Sequence, residues 1–384
     1  MWQSGEPAAT VAAVFLFWVV PLVLMLTLGR AKQTRVATTE FINLKSYYWP
    51  AYRESMTSME GTTIAITGCT SGIGLRLAIT LAELKAKVLL LNRPSPLAED
   101  ALDKVSAAAS AAGGPSPSMI SCDLQSFAKT REAGVALQTL CGANGLDVLC
   151  NNAGVMNKDD VATEDGVDLQ MGVNHLAAFL LTKYAMPCLE KAAALRGEAR
   201  VVQQSSCLRA LPSAEKNWDN TLQQKYLEKN GGNLGGSVSS LAASGPNWQR
   251  YQQSKLANVA FTYALHDRLA ATQSKVKALV AHPGTAPTSL HGGANPGLLL
   301  KLVAWMLMQS TEDGTMGIAR CCCDPEAKSG EFYGPLGKGL QQDHDTAAYK
   351  GKAVVMPQVE LADAVTREML WKVSNATTGA AFEV

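Results

Sequence analysis

The sequence predicts an α/β fold, a single domain on one doubly wound, mainly parallel sheet, preceded by one N-terminal transmembrane helix. Three observations predict it. From Gly61 onward, short β-branched or apolar runs alternate with longer helical stretches; a glycine-rich turn joins the first run to the first helix; and an uncharged apolar stretch fills residues 8–29. Strands alternating with helices argue for βαβ units around a parallel sheet. The 384 residues suffice for one large domain with a full core. Hydrophobic residues make up 47% of the chain, but charged residues only 17%, below the roughly 25% of soluble domains, so apolar sequence exists beyond an ordinary core. Lys and Arg number 34 against 33 Asp and Glu. That balance leaves no basic excess for phosphate backbones and argues against nucleic acid as a partner. The nine cysteines and five histidines show no metal-ligand or disulfide spacing. A reducing compartment fits the main domain.

Residues 8–29 are long enough to cross a bilayer core of about 30 Å as a helix of about 20 residues. Arg30, Lys32 and Arg35 follow the stretch and no Lys or Arg precedes it, so the positive-inside rule puts the C-terminal bulk in the cytosol. A buried N-terminal helix and a cleaved or targeting segment are the other readings. The chain then divides into an anchor at 1–29, a juxtamembrane connector at 30–60, a main domain at 61–345 and a C-terminal extension at 346–384. Strands are expected at 62–67, 88–92, 119–122, 146–151, 200–205, 276–281 and 331–333. Residues 107–117, rich in Ala, Gly, Ser and Pro, read as a loop before the third strand. Residues 229–245 have the Gly/Ser composition of a flexible surface insertion.

The first strand ends in Gly68, then Ser71, Gly72, Ile73 and Gly74 open a helix expected over 75–84. Glycines at this spacing let backbone approach a pyrophosphate, and the helix N-terminus offers it free N–H groups. Tyr251 and Lys255 stand four apart on an expected helix, so their side chains share one face. Residues 296–308 are apolar but too short to span a bilayer. Cys321, Cys322 and Cys323 read as the small apolar face of a helix before the last strand.

The GxxxGxG turn resembles that of the short-chain dehydrogenase/reductase superfamily. So do Asn151-Asn152-Ala153-Gly154 after the fourth strand, Tyr251 through Lys255, and Pro283-Gly284 with Thr288. The strings from Asn174 to Thr182, Ser254 to Asn258 and Ser329 to Tyr333 are similar to the membrane-associated retinol dehydrogenase and WW-domain oxidoreductase branch. The resemblance covers roughly residues 60–375 and implies a Rossmann-type NADP(H)-binding catalytic domain. Asn152, Ala153, Gly154, Pro283, Gly284 and Thr288 would line the cofactor, and Asp123 with Leu124 its adenine. Asp123 reads equally well as the cap of a helix beginning at Leu124. The second strand ends Asn92-Arg93 with no carboxylate at its tip; a guanidinium there takes an extra phosphate bidentately and favours NADP(H). A solvated turn arginine is the bland alternative.

The resemblance assigns Tyr251 as general acid and base, with Lys255 holding the nicotinamide ribose. A nearby ammonium and an oxidised nicotinamide would both favour the phenolate. Ser206, preferred to Ser205, would bind the substrate oxygen. Asn174 would maintain a water link to Lys255, or simply satisfy buried backbone. Departures from the family pattern are Gln203-Gln204 where an Asn is usual, Lys85-Ala86 before the second strand, and a long interval from Ser206 to Tyr251. The apolar N-terminal stretch implies a single-pass membrane enzyme with its domain facing the cytosol, and the resemblance adds the endoplasmic reticulum as its expected membrane and interconversion of a lipophilic aldehyde or ketone and its alcohol as its expected reaction. A homodimer is the assembly the resemblance implies. Two other readings are a protochlorophyllide-reductase-like C=C reductase and a catalytically silent NADP(H)-sensing membrane scaffold.

Overall fold

A computed structural model describes residues 44–211, 218–238, 244–286, 308–336 and 350–384. The expected anchor, Thr288 and residues 296–307 of the apolar segment lie outside them. No helix among the described residues is long and apolar enough to cross a membrane.

Eight strands form one sheet in the order β3-β2-β1-β4-β5-β6-β7-β8. They are β1 Thr63–Thr67, β2 Lys87–Asn92, β3 Ser118–Ser121, β4 Val148–Asn151, β5 Ala199–Gln204, β6 Val276–Ala281, β7 Phe332–Pro335 and β8 Ala353–Met356. All neighbours pair parallel except β7 and β8. Both sheet faces are covered, so the strands read as continuous apolar runs in which alternate residues enter opposite cores. Ala65, Leu89, Leu91 and Val201 face one core with Phe179, Leu180 and Phe261. Ile64, Ile66, Val88, Leu90 and Val202 face the other with Leu77, Leu81 and Ile318.

The helices are α1 Trp49–Ser55, α2 Gly72–Glu83, α3 Pro96–Ala111, α4 Phe127–Cys141, α5 Ala177–Arg196, α6 Pro246–Ala271, α7 Thr311–Cys323 and α8 Ala364–Thr378. The Cys run lies on α7 as expected, with Cys321 and Cys322 buried. Four local expectations need correction. The loop expected at 107–117 is helical to Ala111, because the alanines that weaken a strand favour a helix. The helix expected from Leu124 starts at Phe127, where the Ser126 hydroxyl accepts from Lys129 N. Asp123 instead accepts from Gln125 N, two residues on. The insertion at 229–245 is held in its described part: Val167 bridges Lys229, and Asp160 Oδ2 accepts from Leu234 N at 2.9 Å and Gly236 N at 2.7 Å. The fourth is β8, whose four residues carry too little pattern to stand out in sequence.

Candidate active site

The chain passes from β1 outward through β2 and β3, then returns to add β4 on the other side of β1. Such a switch opens a crevice at the carboxyl ends of the strands, where open α/β sheets bind ligands. A cleft of about 1490 Å³ lies there, larger than the roughly 300–1,000 Å³ of a single-ligand pocket, as a site for two ligands would be. Gly68, Ser71, Gly72, Ile73, Gly74, Arg93, Asp123, Leu124, Asn152, Ala153, Gly154, Ser206, Tyr251, Lys255, Pro283 and Gly284 all line it. Asn174 does not, and Thr288 is outside the described residues.

The glycine turn is built for close approach. Gly68 has φ +72°, and a Cβ at Gly74 would stand 2.2 Å from the Gly68 carbonyl oxygen and 2.4 Å from Asn152 Nδ2. Asn152 Nδ2 donates to the Thr67 and Gly68 carbonyls at 3.0 and 3.1 Å, and Ala153 N donates to Thr67 Oγ1 at 3.0 Å. The turn and the β4 loop are thereby one rigid unit. Asn92, at the tip of β2, accepts from Cys69 N at 2.8 Å. Its Nδ2, buried against the cleft, has no hydrogen-bond partner among the described residues. Arg93 beside it is exposed and makes no hydrogen bond or ion pair among the described residues. The close backbone approach that the glycines allow and the donors at the strand tip fit a nicotinamide dinucleotide.

The α6 helix presents Tyr251 and Lys255 to the inner end of the cleft, 5% and 3% exposed. Lys255 Nζ donates to the Gln204 carbonyl at 3.0 Å and lies 5.8 Å from the centre of the Tyr251 ring. Burial holds Lys255 down at about 8. Burial likewise pushes the Tyr251 phenol above its ordinary value, and a hydrogen bond with Ser206 offsets only part of the rise. Of these effects desolvation is the larger, and it favours the protonated phenol. A protonated, buried phenol is an acid waiting for an oxyanion.

The two serines separate cleanly. Ser205 Oγ donates to the Lys255 carbonyl at 2.8 Å and faces α6 backbone, whereas Ser206 Oγ meets Tyr251 and accepts from Leu208 N at 3.1 Å. Asn174 sits in a π-helical turn, Gly172–Leu176, of the kind that recurs at functional sites. Its Oδ1 accepts from Val155 N at 2.7 Å, and its Nδ2 donates to the Val155 carbonyl and to Ser254 Oγ, each at 2.9 Å. The backbone-satisfying role is therefore real. A Cβ at Gly154 would stand 3.1 Å from Lys255 Nζ and 3.2 Å from Asn174 Oδ1, so the glycine keeps a gap open between them.

A short chain dehydrogenase family model matches residues 62–216. The chain is 32% identical over 289 residues to "Retinol dehydrogenase 14" of Mus musculus, covering 72% of this chain and 78% of that one. The chain belongs to the short-chain dehydrogenase/reductase family. Within that family it falls in the retinol dehydrogenase-like branch, being also 31% identical to the human "Polyprenol dehydrogenase" over 68% of this chain and 72% of that one. Among solved family folds, a crystal structure of an uncharacterised protein from Mycobacterium Paratuberculosis superposes with a TM-score of 0.60 at 25% identity, over 88% of this chain and all of that one. The chain is thus an oxidoreductase of the family. Sequence reasoning missed Asn92 and Ser254, whose contacts arise only when separate segments meet.

Proposed function

We propose that the chain is a membrane-anchored NADP(H)-dependent oxidoreductase that interconverts a lipophilic aldehyde or ketone and its alcohol. One observation carries the reading: the Tyr251 phenol, the Ser206 hydroxyl and the Lys255 ammonium line the same cleft as the glycine turn. Gly68, Ser71, Gly72, Ile73 and Gly74 would hold the pyrophosphate, Asn92 and Arg93 the 2′-phosphate, Asp123 and Leu124 the adenine. Asn152 through Gly154, Pro283, Gly284 and Thr288 would complete the cofactor wall. The nicotinamide supplies or accepts the hydride. Ser206 orients the carbonyl oxygen by hydrogen bonding, and Tyr251 donates its phenolic proton to that oxygen in reduction and recovers it in oxidation. Lys255 favours the resulting phenolate and bonds the ribose. Asn174 anchors the turn facing Lys255 across the gap kept by Gly154, where a water would relay a proton.

The apolar stretches at 8–29 and 296–308 and the two relatives named for lipophilic alcohols support a substrate reached from a bilayer; Arg30, Lys32 and Arg35 after the first stretch favour a cytosolic domain, and the membrane proposed is the endoplasmic reticulum. The test is NADPH oxidation by detergent-solubilised full-length protein against retinal, long-chain aldehydes, steroid ketones and small carbonyls, with NADH alongside. Turnover favouring NADPH and apolar carbonyls, falling at least about 100-fold in Tyr251→Phe with cofactor binding retained, is expected. Tighter NADH binding would sink the cofactor assignment, and an active Tyr251→Phe would sink the mechanism.

A further inference from the structure

Arg250, the neighbour of Tyr251, is the largest fully buried side chain in the described molecule. Its guanidinium meets two buried carboxylates, Asp168 with Nε at 3.3 Å and Asp160 with Nη1 at 3.7 Å. It also donates to the Gly236 carbonyl at 2.9 Å, the Lys158 carbonyl at 3.1 Å, Asn247 Oδ1 at 3.0 Å and, at 3.4 Å, the Leu234 carbonyl. Three segments, two of them consecutive in the chain and the third some 80 to 90 residues earlier, are thereby tied to one planar group. The first is the loop after β4, which begins at the cofactor wall and ends at Asp168. There Asp168 Oδ1 accepts from Met171 N at 2.8 Å and starts the turn that carries Asn174. The second is the glycine-rich insertion, whose Leu234 and Gly236 amides both reach Asp160. The third is the start of α6, which follows a glycine that has no side chain to cap it.

We propose that Arg250 is a positioning residue for Tyr251, fixing the rotation and depth of the first turns of α6 against the Asn174 turn, with the insertion serving as the outer half of its clasp. A buried ion pair adds little net stability over apolar packing of the same volume. A fork of five fixed donors, by contrast, sets orientation. Tyr251 must meet the carbonyl oxygen within a fraction of an ångström, and a 1 Å misplacement costs about 10²-fold in rate. The insertion, which lengthens the interval from Ser206 to Tyr251, thus belongs to the catalytic frame, and its described residues do not line the cleft. This inference rests on the proposed reading of Tyr251 as the proton-transfer group.

The experiment compares Arg250→Met, Arg250→Lys and Asp160→Asn in the full-length protein. Arg250→Met should lower kcat for carbonyl reduction by about 10- to 100-fold, with KM and binding affinity for NADPH within about twofold. Arg250→Lys, which restores charge without the planar fork, should recover part of the loss. Amide exchange at residues 251–255 should accelerate in Arg250→Met, and at Leu234 and Gly236 in both Arg250→Met and Asp160→Asn. A folded Arg250→Met with unchanged kcat would overturn the proposal, as would equal losses in kcat and NADPH affinity, the mark of a merely structural role. If Arg250→Met does not fold, Asp160→Asn decides: a fall in kcat at unchanged NADPH affinity supports the role, and wild-type kcat overturns it. Should the wild type turn over no carbonyl, the functional reading fails alone. The exchange rates at 251–255, which need no substrate, then decide the positioning role by the same expected rise.

Discussion

Ser205 and Ser206 are adjacent hydroxyls put to opposite uses. Ser205 ends in a bond to the Lys255 carbonyl, while Ser206 faces the Tyr251 phenol. Ser206→Ala should therefore lower kcat by about 100-fold, the cost of losing one donor aimed at a developing oxyanion, with little change in unfolding free energy. Ser205→Ala should instead cost about 1 kcal/mol of stability and leave kcat within a few-fold. Steady-state kinetics and urea unfolding of both variants check this, and a kcat loss larger in Ser205→Ala would reverse the assignment. The resemblance pointed to Ser206 through its motif spacing, and the two hydroxyls part because a strand end presents successive residues to opposite sides. Tyr251, Lys255 and the glycines were legible for the same reason: their chemistry constrains residue type and spacing within one element. Arg250 was not, since a single charge in a helix says nothing of which carboxylates 82 and 90 residues earlier will close on it. Nor did the sequence show how deeply Tyr251 is buried, because desolvation is a property of everything packed around it.

At the scale of elements, strands buried on both faces were placed within one or two residues, while ends and short pieces were not. The start of α4 was misplaced because Asp123 and Ser126 are both good caps, and tertiary contact decided it: Phe127 N donates to Asp165 Oδ2 at 2.7 Å. The connector shows the same rule. Within residues expected only to link, α1 docks through its first turn onto α7, where the Asp313 carboxylate accepts from Tyr47 N, Tyr48 N and Trp49 N at 2.8–3.0 Å and from Ser46 Oγ at 3.1 Å. One buried carboxylate thus takes the two amides that lead into the helix and the first amide of the helix itself. Asp313→Ala should release residues 44–55 locally, a loss of about 2 kcal/mol for charge-assisted bonds to backbone. Trypsin cleavage at Arg53 should then become at least several-fold faster while the remaining domain stays folded. Unchanged cleavage at Arg53 would show that Trp49 and its apolar contacts, not the carboxylate, hold the connector.

For the whole molecule, the parallel sheet and the cleft at its strand ends followed from the alternation of strands and helices. How the chain closes behind the cleft did not, because α8 meets the π-helical turn through one buried histidine. His175 Nε2 lies 3.0 Å from Ser374 Oγ, and its ring packs against Phe179 and Phe261. Burial lowers its pKa to about 3 from the usual 6.5. As pH falls below about 6.5 the unfolded chain takes up a proton that the folded one refuses until about 3, so His175 removes stability across that window, about 5 kcal/mol in full. Asp168 works the other way. Burial raises it to about 6, so the folded state binds its proton first and gains about 3 kcal/mol as pH falls from about 6 to 3.8. The two slopes nearly cancel between pH 6 and 4, which leaves the histidine dependence visible only by difference. His175→Phe should lower stability at pH 7 by loss of the Ser374 bond and by overpacking. Relative to wild type, however, the variant should regain about 3 kcal/mol between pH 6.5 and 4.5, as its own curve no longer carries the histidine slope. Parallel curves for the two proteins in chemical unfolding at those pH values would mean that the folded molecule admits the proton, and that the seal between α8 and the core opens without global unfolding.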